Sequence, residues 1–203
     1  MILYLEVSQY VLAVALIAHA IRSRSGEFAL LFWFGGFLLG FFREMSVLRL
    51  LHLYTFGDYY LTLFGVPLVS GLLWSNFIYL AIWLVRSFTM IDVTQGRVSS
   101  RGFLTAGAIV VLLGCLYDYL AVGYGLIKWA PGWSPLPGGI PPERVLEYGM
   151  TSILYMMAFR GVRAGPWNTT RRMVGLILLN PLLIVLGLGF MLLFRFIFSL
   201  LFG

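Results

Sequence analysis

Eight carboxylates are spread through a 203-residue chain that is 61% hydrophobic and only 11% charged. Glu44 and Asp118 stand near the ends of otherwise apolar runs, and Glu143 and Glu147 open another. Asp58 lies between aromatic residues. An ionised carboxylate within a bilayer costs about 2.5–3.5 kcal/mol at mid-depth and less near the interface, so such groups face a bundle interior and mark function. Around them fall Tyr59, Tyr60, Trp74, Tyr117, Tyr119, Tyr124, Trp129 and Trp133. Part of this enrichment is interfacial anchoring. The remainder can present π-faces to a cation in a dry cavity.

Carboxyl groups beside aromatic faces suit one reaction type. A carboxylic acid protonates an alkene, aromatic faces hold the carbocation, and water or a second alkene attacks it. A second carboxylate activates the water or removes the last proton. This chemistry calls for no cofactor. The chain has no glycine-rich phosphate loop and no paired aspartate motif for a diphosphate. Cys115 is its single cysteine, His19 and His52 are isolated, and no Cys/His spacing points to a metal.

The elements that must position these groups follow from hydropathy. A soluble domain carries about 25% charged residues, and this chain cannot cover a water-facing surface. It can supply apolar runs of about 20 residues, the length of a bilayer-crossing helix. The runs are 2–21, 28–48, 66–85, 103–123, 142–159 and 173–200. The expected fold is all-α: a membrane helical bundle of six to seven spans forming one integral membrane domain, 1–203. The first run reads as a span rather than a cleaved leader, since no basic segment precedes it and Arg22 and Arg24 follow it. Asn180-Pro181 is expected to kink or divide the last run.

With six spans, nine of the fourteen basic residues (Arg22, Arg24, Arg86, Arg97, Arg101, Arg160, Arg163, Arg171 and Arg172) fall on one side. That side is expected to be cytoplasmic, which puts both termini outside a cell membrane. The net charge of +6 therefore reads as a topology signal, and no nucleic-acid partner is expected. Only Glu27 and Asp92 share the arginine-rich side; Glu6 and the other five acids gather opposite.

A shift of 74 residues aligns the chain with itself, roughly 28–97 on 102–171. Gly40 falls on Gly114, Glu44 on Asp118, Gly65-Val66-Pro67 on Gly139-Ile140-Pro141, Arg86 on Arg160 and Arg97 on Arg171. Acid and proline are 23 residues apart in both copies. Each copy contains two spans, so the copies run parallel and a pseudo-two-fold along the membrane normal brings the two acids to one depth.

The segment Glu44 … Phe56-Gly57-Asp58-Tyr59-Tyr60 … Gly65-Val66-Pro67-Leu68 … Trp74 resembles the first signature of the carotenoid biosynthesis membrane family, which includes carotenoid and bisanhydrobacterioruberin hydratases. Asp118 … Trp129 … Gly139-Ile140-Pro141 resembles the second, and with Pro142-Glu143 is also similar to small lycopene cyclase domains. The resemblance covers about residues 35–160. It implies a hydrophobic isoprenoid or carotenoid substrate, taken from membrane lipid, and hydration or ring closure at its end group. It carries acid–base roles onto Glu44, Asp118 and Glu143, with Tyr59, Tyr60, Trp74 and Trp129 around the cavity. The chain departs from both patterns: Glu143 and Glu147 stand where the hydratases carry an Asn, and Glu143-Arg144 where the cyclases carry two adjacent acids. A proton-coupled transporter and a non-catalytic membrane scaffold are the alternative classes.

Overall fold

In the computed structural model, which describes residues 2–95, 99–131 and 139–202, the chain is a bundle of six long helices. These are α1 (Ile2–Ser23), α2 (Gly26–Ser46), α3 (Leu68–Thr89), α4 (Ser100–Gly123), α5 (Pro142–Ala164) and α6 (Thr169–Phe202). Five are long and apolar enough to cross a membrane, so the protein is membrane-embedded. The exception is α5, which carries Glu143, Arg144, Glu147, Arg160 and Arg163. Neighbouring helices pack in the order α2–α3–α4–α5–α6, and α6 closes back on α2. Helix α1 lies outside this ring against α2 and α3, with most of its surface exposed.

Local signals explain the boundaries. Ser25 caps α2 by accepting the Phe28 amide (3.0 Å), and Ser99 caps α4 through the Gly102 amide (3.1 Å). Pro67 and Pro141 occupy the N-cap positions of α3 and α5, where a missing N–H costs nothing. Each follows a glycine in left-handed backbone, Gly65 (φ 77°) and Gly139 (φ 81°), a turn that a side chain would strain. Helix α6 runs unbroken through Pro181, so the last apolar run is one element rather than two pieces.

Short strands interrupt the expected all-helical pattern. After α2 the chain makes a π-helical turn, Val47–Leu51, ended by His52 in left-handed backbone (φ 50°). Strand β1 (Tyr54–Phe56) then pairs antiparallel with β4 (Ile127–Trp129), Tyr54 opposite Trp129 and Phe56 opposite Ile127. Strands β2 (Thr62–Leu63) and β3 (Val66–Pro67) form a second small pair. The connection after α2 is thereby zipped to the one after α4, closing one end of the bundle.

The opposite end is fastened by arginines. Arg24 bonds Asp92 and the Thr94 hydroxyl, Arg160 donates to the Gln95 carbonyl (3.1 Å), and Arg172 pairs with Glu27 (2.9 Å). Between the ends lies an aromatic core: Phe28, Phe32, Trp33, Tyr79, Tyr155 and Phe159 meet ring against ring, with centroids 4.8–6.2 Å apart. His19 joins this core through a 2.8 Å hydrogen bond to the Tyr79 hydroxyl.

Candidate active site

The last turns of α2 deliver Arg43 and Glu44 to the bundle interior, 1% and 3% exposed. Asp118 of α4 and Arg144 and Glu147 of α5 meet them there, all buried. Arg43 grips Glu147 with Nε (2.7 Å) and Nη2, and its Nη1 reaches Glu44 (2.8 Å) and the Tyr54 hydroxyl (2.8 Å). Arg144 spans all three acids: Nε to Asp118 (3.3 Å), Nη1 to Glu147 (3.0 Å) and Nη2 to Glu44 (3.3 Å). Tyr54 and Trp74 also donate to Glu44, the indole at 3.2 Å, and the Tyr148 hydroxyl donates to Asp118 at 2.9 Å.

This satisfies nearly every polar atom, as burial demands, since an unpaired ion in the interior costs several kcal/mol. The charges do not balance, however. Glu44, Asp118 and Glu147 are three acids against two guanidiniums, Arg43 and Arg144, an excess of one negative charge. One added proton makes the cluster neutral. Glu44 accepts from four side chains and Glu147 from both arginines. Asp118 has one guanidinium at 3.3 Å and one phenol, the least compensation of the three.

Glu44, Asp118 and Arg144 lie on one wall of a narrow pocket. Apart from Ser70 of α3, the rest of its lining is apolar or aromatic: Phe56, Tyr59 and Ile127 from the zipped connections, Leu73, Trp74 and Phe77 from α3, Val110 and Tyr117 from α4, Tyr148 from α5. The cavity volume is about 20 Å³, room for about one water molecule. Two of its lining residues, Tyr59 and Tyr117, share a 3.1 Å bond between their hydroxyls. Burial pushes the Tyr59 phenol up to about 12, so it stays protonated across the neutral range.

The expected site residues separate into two groups. Glu44, Asp118, Tyr59 and Trp74 line the pocket, and Glu147 sits in the ion cluster behind it. Glu143 is buried but outside the lining, and its Oε2 has no partner among the described residues. Asp58, Tyr60, Tyr119 and Tyr124 are exposed and away from the pocket, and Trp129 stacks its edge on Tyr54 behind it (4.9 Å between centroids). Asp58 therefore stands apart from the other acids, and the aromatic wall is smaller than the sequence led one to expect. Trp133 and Arg97 lie outside the described residues.

Two of the aromatic faces are already taken by the protein's own cations. The Arg144 guanidinium lies 4.4 Å from the Tyr148 ring centre, and that of Arg43 5.8 Å from Trp74. The other aromatic residues of the lining are Phe56, Tyr59, Phe77 and Tyr117. Sequence reasoning passed over Arg43, Tyr54, Arg144 and Tyr148. The signals were there: Arg43 is an arginine beside an acid inside an apolar run, Arg144 and Glu147 are one helical turn apart, and the 74-residue shift lays Tyr148 on Trp74.

Glycines bring the helices close enough for these contacts. A Cβ on Gly40 would meet Trp74 at 2.7 Å, and one on Gly114 would meet the Tyr148 ring at 2.8 Å. Among the described residues no group of His, Cys, Asp and Glu is arranged to hold a metal ion. Compared with family models, curated proteins and solved structures, the chain finds no match.

Proposed function

We propose that this protein is a membrane enzyme that protonates a double bond in the end group of a hydrophobic isoprenoid, of carotenoid type, and completes the reaction by adding water or closing a ring. One observation carries this reading: Glu44 and Asp118 line a single pocket whose other lining residues, Ser70 and Arg144 apart, are aromatic or aliphatic. Such a pocket, once widened beyond its water-sized volume, offers an acid to a hydrocarbon.

Asp118 is the proton carrier, as the least compensated member of a cluster that is one proton short of neutrality. Its carboxyl O–H adds to the alkene, leaving a carbocation against Phe56, Tyr59, Phe77 and Tyr117 and a carboxylate at Asp118. In hydration, water attacks the cation and its surplus proton returns to Asp118. In cyclisation, a second double bond attacks and the proton lost from the neighbouring carbon returns there. Glu44 holds Arg144 in place, and Glu147, itself gripped by Arg43, accepts from another nitrogen of the same guanidinium. The pocket as described admits water, so an end group enters when the Tyr59–Tyr117 pair parts.

The matched geometry of the two halves supports descent from a parallel repeat. Glu44–Trp74 and Asp118–Tyr148 are like pairs at like spacing, Gly40 and Gly114 pack beneath the matching aromatics, and β1 pairs with β4. The arginine-fastened end is the cytoplasmic one in this reading, which places both termini outside the cell membrane. A scaffold has no need of three buried acids. An uncompensated proton site would also serve proton-coupled transport, but this one lies at the closed end of the bundle, away from the midplane that alternating access uses.

The test is to incubate the purified protein with an acyclic carotenoid. Hydration adds the mass of water; cyclisation leaves the mass unchanged and shifts the absorption. Asp118→Asn is expected to lower turnover at least 100-fold, within the range for loss of a general acid. Wild-type turnover in both Asp118→Asn and Glu44→Gln would end the proposal, and proton-driven flux in proteoliposomes without a chemical product would replace it with transport.

A further inference from the structure

Asn180 is the most isolated buried polar side chain of α6. It is 2% exposed, one residue before Pro181, inside a 34-residue helix that is otherwise almost wholly apolar between Arg172 and Arg195. Its Nδ2 donates to the Gly35 carbonyl of α2 at 3.0 Å. A carbonyl oxygen can only accept, so this bond fixes the amide's orientation and leaves Oδ1 as the atom needing a donor. Oδ1 is buried and has no partner among the described residues. Pro181, lacking an N–H, withholds the helical bond from the Ile177 carbonyl beside it.

Asn180, Pro181 and Ile177 border one groove between α2 and α6, with Leu38 and Phe42 opposite and Val185 further along. Its cavity volume, about 420 Å³, falls in the range of small-molecule sites. No charged side chain lines it. Its other polar side chain, Ser46, donates its own proton to the Phe42 carbonyl (2.8 Å). Phe42, Ile177 and Val185 are exposed along the rim, so the groove faces the acyl chains.

The depth of the site narrows what can fill it. Asn180 is eight to eleven residues into α6 from Arg172 and Thr169, roughly 12–16 Å at 1.5 Å per residue. That is near the middle of about 30 Å of hydrocarbon, where water is not at hand to satisfy an acceptor. A phospholipid or other interface-anchored amphiphile keeps its polar group too far away, and the groove offers no cation for a phosphate.

We propose that this groove binds a neutral hydrocarbon alcohol from within the bilayer, its carbon skeleton lying between α2 and α6 and its hydroxyl donating to Asn180 Oδ1, which is buried at the groove and is reached when neighbouring side chains shift. The site is separate from the acid pocket, and the inference stands whether or not the chemistry proposed there is right.

Phytol and phytane, the same branched skeleton with and without a hydroxyl, test it directly. Binding of each is measured on the full-length protein in nanodiscs of saturated phosphatidylcholine. The wild type is expected to hold phytol at least tenfold tighter than phytane, the value of one buried hydrogen bond. Asn180→Leu should bring phytol down to the phytane level while leaving phytane unchanged. Val185→Trp, at a rim position that tolerates bulk, should weaken both. Equal affinity of the wild type for the two probes, or undiminished binding in Val185→Trp, would overturn the assignment. A wild-type dimer that phytol fails to disturb would do the same, by giving the groove to a second copy. Should Asn180→Leu not fold, the wild-type pair of probes and Val185→Trp still decide.

Discussion

Trp74 and Tyr148 lie against each other with ring centroids 5.4 Å apart and planes inclined by 35°, and each donates its polar hydrogen to a carboxylate 30 residues earlier in the chain, Trp74 to Glu44 and Tyr148 to Asp118. The two acids are thus joined through touching aromatics as well as through Arg144. Tyr148 has the heavier task, because its hydroxyl also accepts from Arg144 at 3.0 Å. Tyr148→Phe should therefore lower turnover of an acyclic carotenoid about tenfold or more while the protein still elutes as a folded species. Trp74→Phe, which removes one of four donors to Glu44, should cost less. The reverse order would contradict the assignment of Asp118 as proton carrier.

The ion cluster should respond to charge removal as a unit. Arg43→Met leaves three buried acids facing one guanidinium and is expected to destabilise the protein by about 3–5 kcal/mol, the usual cost of breaking a buried pair. Arg43→Met with Glu147→Leu removes the bidentate pair together, leaving Glu44 and Asp118 on Arg144, and should recover part of that loss. Thermal denaturation in detergent, followed by the fraction remaining soluble, compares the single and double variants; equal midpoints for the two would count against the coupling.

Close helix approach at Gly40 and Gly114 can be probed with single methyl groups. A Cβ at Gly40 meets Trp74 at 2.7 Å and also the backbone of Gly71 and Ser70 at 3.0 Å, which cannot rotate away. At Gly114 the nearest contacts of the Cβ are all atoms of the Tyr148 ring. Overpacking costs about 1–3 kcal/mol, so Gly40→Ala should fall at the upper end and Gly114→Ala at the lower. Gly114→Ala should nonetheless impair turnover, since the ring it pushes holds Asp118.

Glu6 ties α1 to the connection over the pocket. Its two oxygens accept from the Tyr60 amide (2.9 Å) and the Leu61 amide (3.1 Å), adjacent to the Tyr59 that lines the cavity. Glu6→Ala leaves both amides unpaired, and their hydrogen exchange should accelerate at least tenfold, with amides in the middle of α3 unaffected. Unchanged exchange at these two positions would show that the connection is held by other contacts.

Two groups outside the spans set opposite pH limits. Burial pushes the Asp92 carboxyl up, but hydrogen bonds from Arg24 and Thr94 outweigh it and hold the group below its usual range. Its contribution is present above the ordinary carboxylate value and is lost as pH falls through the depressed one. Tyr59 is the opposite case: raised to about 12, it stabilises the protein below about 10, and that contribution disappears as pH rises from there through 12. Asp92→Asn should flatten the acid limb of a stability–pH curve and Tyr59→Phe the alkaline limb, each without moving the other.

The sequence by itself determined the elements. Hydropathy is a local property, and the six apolar runs became six helices with ends close to those expected. The Gly-apolar-Pro steps became the entries to α3 and α5, and the spacing of Glu44 and Asp118 brought both acids to one pocket. Azimuth and pairing belonged to the tertiary structure. Tyr119 follows Asp118 directly, yet one residue turns a helix by about 100°, so Asp118 points inward and Tyr119 outward. Tyr59 and Tyr60 are divided in the same way where the chain bends, one into the pocket and one out.

The pairing of Arg43 with Glu147, 104 residues away, depended on packing α2 near α5, which no local pattern encodes. That contact turned a set of bare acids into a cluster one proton from neutrality. Arg43 also takes up the Trp74 face, which a substrate cation was expected to use, as Arg144 takes up that of Tyr148. Which side chains surround a buried charge is decided by whichever helices close over it, because in a low-dielectric interior the charge must be met by partners wherever the chain can bring them.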